Sequence, residues 1–103
     1  MQLMTDELQQ SFPAIGQTDG TDATVIAKYF TPDGNWTWYA TEYDPMTRQF
    51  FGLVDGLETE LGYFSLDELE HATGLLGLPI ERALHYNPVP LSEVKSRIAK
   101  HTH

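Results

Sequence analysis

The chain has 103 residues, no cysteine, 41% hydrophobic residues and a formal charge of −9, which together describe one domain with a modest core and exclude disulfides and thiolate metal sites. No apolar run approaches the roughly 20 residues of a membrane helix, and the N-terminus M-Q-L-M-T-D-E-L-Q-Q has neither the basic flank nor the apolar stretch of a secretory signal. A cytoplasmic protein with no membrane partner is expected.

The charge is uneven along the chain. Residues 1–90 hold 14 acids and 3 bases, whereas Lys95, Arg97 and Lys100 near the C-terminus face only Glu93. Such a body repels phosphate, so direct nucleic-acid binding through a basic groove is not expected. A basic protein partner suits it better.

In chain order, Thr5-Asp6-Glu7 reads as an N-cap with acids in the first turn, starting a short helix that Pro13 ends. Gly16 to Asp22 is a polar loop. The β-branched and aromatic run A-T-V-I-A-K-Y-F-T (23–31) predicts a first strand, P-D-G-N (32–35) a turn, and N-W-T-W-Y-A-T-E-Y-D (35–44) a second strand. Asp44-Pro45-Met46-Thr47 turns the chain into Q-F-F-G-L-V, and Asp55-Gly56 offers a tight turn before the fourth strand, L-G-Y-F. Short connections make these strands antiparallel.

The period then changes. Ser65-Leu66-Asp67-Glu68 has capping-box spacing, Phe64 and Leu69 can form a hydrophobic staple, and Gly74 and Gly77 end the helix. Pro79 is expected to open a short helical turn through I-E-R-A-L, and Leu91, Val94 and Ile98 form one stripe of a terminal helix. The predicted class is α+β: a four-stranded antiparallel meander with short N-terminal, post-sheet and C-terminal helices covering one face. A single domain spans residues 1–103, with its core from about residue 3 to 98 and a mobile basic tail over 99–103.

Side chains in a strand alternate between faces. Trp36, Trp38 and Ala40 are assigned to the core side, together with Val25, Ala27 and Tyr29 of the first strand, because Lys28 marks the other side as wet. Thr37, Tyr39, Thr41 and Tyr43 fall on the second side. The third strand is apolar on both, with Phe50 opposing Phe51, so the second face is expected to expose Phe30, Tyr39, Tyr43 and one of those phenylalanines. An exposed aromatic patch marks an interaction site.

The segments F-T-P-D-G-N-W-T-W-Y-A-T-E-Y-D (30–44), F-F-G-L-V, E-L-G-Y-F-S-L-D-E-L-E, G-L-P-I-E-R and P-x-P-L-S-E-V resemble a family of small proteins catalogued as domain of unknown function 2958. The likeness runs from about Leu3 to Val94. It implies an accessory role in plasmid and mobile-element biology, and it carries over no catalytic residue.

Chemistry is harder to find. Glu42 and Asp44 lie two apart near a strand end and can share a proton or hold a cation, yet a charged strand end beside a turn explains them more simply. His71 and His85 lack a nucleophile in catalytic spacing and read as solvated histidines. His101 and His103 are two imidazoles at a chain end, good for weak adventitious metal binding at most. Asp33-Gly34-Asn35 is a turn without the remaining ligands of a calcium loop, and Glu81-Arg82 is read as a structural pair tying a short helix to the sheet. No catalytic residue, metal site or cofactor is expected.

The favoured reading is a non-catalytic protein-binding module of a mobile element, docking through Phe30, Tyr39, Thr41, Tyr43, Glu42 and Asp44. A DNA-mimicking inhibitor of a restriction, CRISPR or other nucleic-acid-binding enzyme is the first alternative, and a small hydrolase the second. Two copies can also bury the aromatic face against each other as a homodimer.

Overall fold

Every strong turn signal breaks the chain, and the computed structural model, which describes residues 1–18 and 22–101, folds the pieces into an α+β domain. Helix α1 (Asp6–Ser11) starts at Thr5, whose hydroxyl accepts from the Leu8 amide at 3.1 Å. Part of the polar loop expected over Gly16 to Asp22, residues 19–21, lies outside the described residues. Strands β1 (Thr24–Val25), β2 (Ala27–Phe30), β3 (Thr37–Asp44), β4 (Gln49–Asp55) and β5 (Thr59–Ser65) follow. Strands β2 to β5 pair with their neighbours in antiparallel order, as their short connections require. Helix α2 (Leu66–His71) opens on the expected cap, with the Ser65 hydroxyl accepting from the Glu68 amide at 3.2 Å. Phe64 and Leu69 are both in the core beneath it.

The first core forms on one face of the sheet around Phe50, which is fully buried. The rings of Tyr29, Tyr43, Phe64 and Phe12 stand 4.7 to 5.6 Å from it, tilted or offset as aromatic quadrupoles prefer. Tyr29 ends in a hydrogen bond to the Leu3 carbonyl at 2.7 Å, so its burial strands no polar atom.

Two features depart from the sequence reading. The segment expected as a helical turn at 79–84 contains strand β6 (Glu81–Arg82), paired with Phe30 and Tyr29 of β2, so the sheet has five strands in the order β5-β4-β3-β2-β6. The reason is the backbone of β2: its outer edge needs partners, and the Ala83 amide also reaches the Lys28 carbonyl at 2.9 Å. Arg82 is tied to the N-terminus, donating to the Gln2 carbonyl at 3.2 Å.

Helices also cover both faces rather than one. Strand β1 leaves the main sheet at Ile26 and pairs with β7 (Val89–Pro90), which delivers helix α3 (Leu91–His101) to the second face. There Leu91 and Val94 bury against Val25 and Leu53, flanked by Tyr39 and Ile98. Because Pro90 offers no capping side chain, the carboxylate of Asp22 serves instead, accepting from the Ser92 amide at 3.0 Å and its hydroxyl at 2.5 Å. Helix α3 continues through His101; Thr102 and His103 lie outside the described residues.

Candidate functional site

The six residues expected to share a docking face do not share one. Strict alternation places Tyr43 with Tyr39, but the β3–β4 register shifts between Ala40 and Glu42, making Thr41 an extra residue. One inserted residue turns everything beyond it to the opposite face. Tyr43 therefore enters the Phe50 core, with 3% of its surface exposed. Thr41 is buried at the bulge, where its hydroxyl donates to the Phe51 carbonyl at 3.0 Å. Tyr39 is half-covered by α3, Phe30 is half-buried, and Asp44 closes its own turn by accepting from the Met46 amide and the Thr47 hydroxyl.

Glu42 is the most unusual of the six, a carboxylate with only 2% exposure. Its Oε1 accepts from the Gly16 amide at 3.1 Å, and its Oε2 accepts from the Thr18 amide at 2.8 Å and the Thr18 hydroxyl at 2.7 Å. Burial alone would raise its pKa, but the Thr18 hydroxyl and the two amides outweigh that and hold the carboxyl below the usual glutamate range. The charge is spent on fastening the Gly16–Thr18 segment over the part of β3 that β2 does not reach. The Tyr43 amide, donating to the Pro13 carbonyl at 3.0 Å, closes the same edge.

An exposed aromatic site does exist, on the other face and around a different residue. Trp36 precedes β3, with its amide donating to the Thr31 hydroxyl at 3.0 Å and its carbonyl accepting from the Thr31 amide at 3.0 Å. Its indole stacks on Trp38 with ring centres 5.8 Å apart and lies over Gly56, where a Cβ would meet ring carbon at 2.3 Å. It remains 37% exposed and lines a cleft of about 550 Å³ formed with Thr31, Trp38, Ala72, Leu75 and Ile80.

Around this indole the surface is apolar with an acidic margin. Leu57 on one side and Leu75 on the other are each more than nine-tenths exposed, and Glu58 and Glu60 border a second hollow against Trp36, Val54 and Leu57. Glu58 raises the pKa of Glu60 by hydrogen bonding and by repulsion, a sign of negative charge concentrated there. The cleft's far wall is held by Asp33, whose Oδ2 accepts from the Leu76 amide at 2.7 Å and the Leu78 amide at 3.3 Å while Oδ1 packs against Gly74.

A family profile described as "Protein of unknown function (DUF2958)" matches residues 2–102, nearly the whole chain. The chain belongs to the DUF2958 family. No curated protein and no solved structure matches it.

In this DUF2958 protein the remaining ionisable groups are scattered. His71 lies exposed on α2 with its Nδ1 at 2.7 Å from the Asp67 carbonyl, and His85 is exposed in a left-handed backbone turn with φ of 57°. Among the described residues no three His, Asp or Glu side chains gather to hold a metal ion; His103 lies outside them. Among the described residues no helix is long and apolar enough to cross a membrane.

The Trp36 site had one signal in the sequence. Asp55-Gly56 reads as a turn, and the same missing side chain that eases the turn makes room for the indole. Gly56→Ala is expected to dislodge that ring without unfolding the DUF2958 domain. Tryptophan emission should shift and acrylamide quenching should rise, with far-UV circular dichroism unchanged; an unaltered emission spectrum would contradict the packing of Trp36 on Gly56.

Proposed function

We propose that this DUF2958 protein is a non-catalytic, cytoplasmic binding module, an accessory protein of a mobile element, that seats an apolar side chain of a basic protein partner in the cleft beside Trp36. The mobile-element setting rests on the sequence resemblance alone. The observation that carries the binding reading is the exposed Trp36–Trp38 stack, open to solvent between Leu57 and Leu75 and bordered by Glu58 and Glu60. Rigid aromatic anchors in a partly apolar concavity are the usual centres of protein interfaces, and an acidic margin selects partners with matching bases.

The distribution of acids weighs against the DNA-mimic alternative. Glu42 and Asp33 serve backbone amides, Asp67 and Glu70 grip Arg48 at 2.7 Å, and Glu93 pairs with Arg97 at 2.8 Å, so these carboxylates do not form a free array spaced like phosphates. Partner capture from cells carrying the native element, repeated with Trp36→Ala, tests the proposal. The variant should stay folded and lose the partner by about 30-fold or more in affinity, as truncating a central anchor does. Undiminished capture by the variant would exclude this cleft, and loss of capture from both proteins at raised salt would restore the electrostatic alternative.

A further inference from the structure

The two borders of the main sheet are finished differently. The β6 border is only two residues long, and the part of β3 beyond β2 is covered by the chain from Pro13 to Thr18. The β5 border is seven residues long and pairs with β4 without a register break from Gln49↔Ser65 to Asp55↔Thr59. It carries no proline, lysine or arginine, and it exposes Leu61 and Tyr63. Long, flat edges bearing apolar side chains are what folded proteins ordinarily suppress, because the unpaired amides and carbonyls recruit another strand.

The direction of those groups follows from the ladder. The Gly56 amide donates to the Glu58 carbonyl and the Leu66 amide to the Arg48 carbonyl, at opposite ends of the β4–β5 pair. In an antiparallel ladder the hydrogen-bonded pairs recur every second residue. The even-numbered residues of β5 therefore turn their backbone groups to β4, and Thr59, Leu61 and Tyr63 turn theirs to the free border.

We propose that this border pairs with β5 of a second copy of the chain, antiparallel about a twofold axis through Gly62. That register places Leu61 against Tyr63 of the partner subunit and Tyr63 against Leu61 of the partner subunit, bringing their outward amides and carbonyls into phase. Glu60 then lies opposite Phe64 of the partner subunit, so acid does not oppose acid across the axis. Gly62 meets its own counterpart, leaving the closest approach free of side chains. In this register the strand T-E-L-G-Y-F-S opposes no like charges and sets its two exposed apolar side chains, Leu61 and Tyr63, against each other, so it is complementary to itself.

Sedimentation equilibrium over a concentration series should give a mass rising toward twice the 11.6 kDa of one chain. Leu61→Pro removes an outward amide that the β4 ladder does not use, a position where an edge strand tolerates proline. It should leave far-UV circular dichroism intact and weaken dimerisation by about tenfold or more, since symmetry makes each lost hydrogen bond count twice. Leu61→Lys, which keeps the backbone amide and adds a charge to the border, should weaken it as well and gives the answer if proline disturbs folding. A wild-type chain that stays monomeric at the highest attainable concentration overturns the proposal, as does a dimer that survives both substitutions. The dimer is held by outward backbone groups of β5 and by Leu61 and Tyr63 on the face opposite the Trp36 cleft, and Trp36 touches that strand only beside Glu60, so Trp36→Ala should leave the dimer in place and the two readings fail separately.

Discussion

Glu42→Ala is expected to destabilise the fold by on the order of 3 kcal/mol, because a hydrogen bond to a charged group contributes about 1.5–3 kcal/mol and the buried Glu42 carboxylate accepts three part-buried ones. The three donors are the Gly16 amide, the Thr18 amide and the Thr18 hydroxyl, all now held by one carboxylate. In a domain of this size each kcal/mol lowers Tm by about 4–8 °C, so thermal unfolding reads the effect directly. A loss within error of zero would mean that water replaces the carboxylate at no cost.

The same group sets a pH dependence. Glu42 titrates in the fold below its ordinary value of 4.5, so its contribution is complete above that value and disappears as pH falls through the lower, folded one. Wild type should therefore lose Tm on acidification more steeply than Glu42→Gln, which has no titrating group there. Parallel profiles for the two proteins would contradict the charged cradle.

Gly52→Ala is expected to be comparably damaging, at about 3 kcal/mol or more, the upper range for overpacking. A Cβ at this position would stand 1.9 Å from the Tyr39 carbonyl oxygen, and that oxygen is backbone and cannot rotate away. The bulge at Thr41 lies beside this approach, so relieving the collision means moving the β3–β4 register that puts Tyr43 in the core. Gly62 is a built-in control: it pairs with Gly52 across β4–β5, and a Cβ there meets nothing within 4 Å. In the monomeric chain Gly62→Ala should be neutral or slightly stabilising, through the smaller entropy of the unfolded chain. Urea denaturation of the two variants at one protein concentration separates them, and equal midpoints would refute the close approach at Gly52.

Local patterns determined much of this molecule. The Thr5 and Ser65 caps, the aromatic and β-branched runs of β2 to β5, the short turns that make them antiparallel and the Leu91, Val94, Ile98 stripe are written in residues no more than a few positions apart. The family likeness was legible in the same way, as linked segments. Three features were decided only by tertiary structure. The bulge at Thr41 depends on how β3 meets β4, and it moved Tyr43 from an expected surface to the core. Strand β6 is two residues long, too short to carry a period, and exists because β2 has an edge to fill. The Trp36 cleft joins residues from the turn after β2, the start of β3 and the loop after α2, with the indole resting on Gly56 of the turn after β4. Side-chain alternation is a property of one strand, whereas register, edge pairing and cavities arise between segments distant in sequence; only the folded chain contains the information that fixes them.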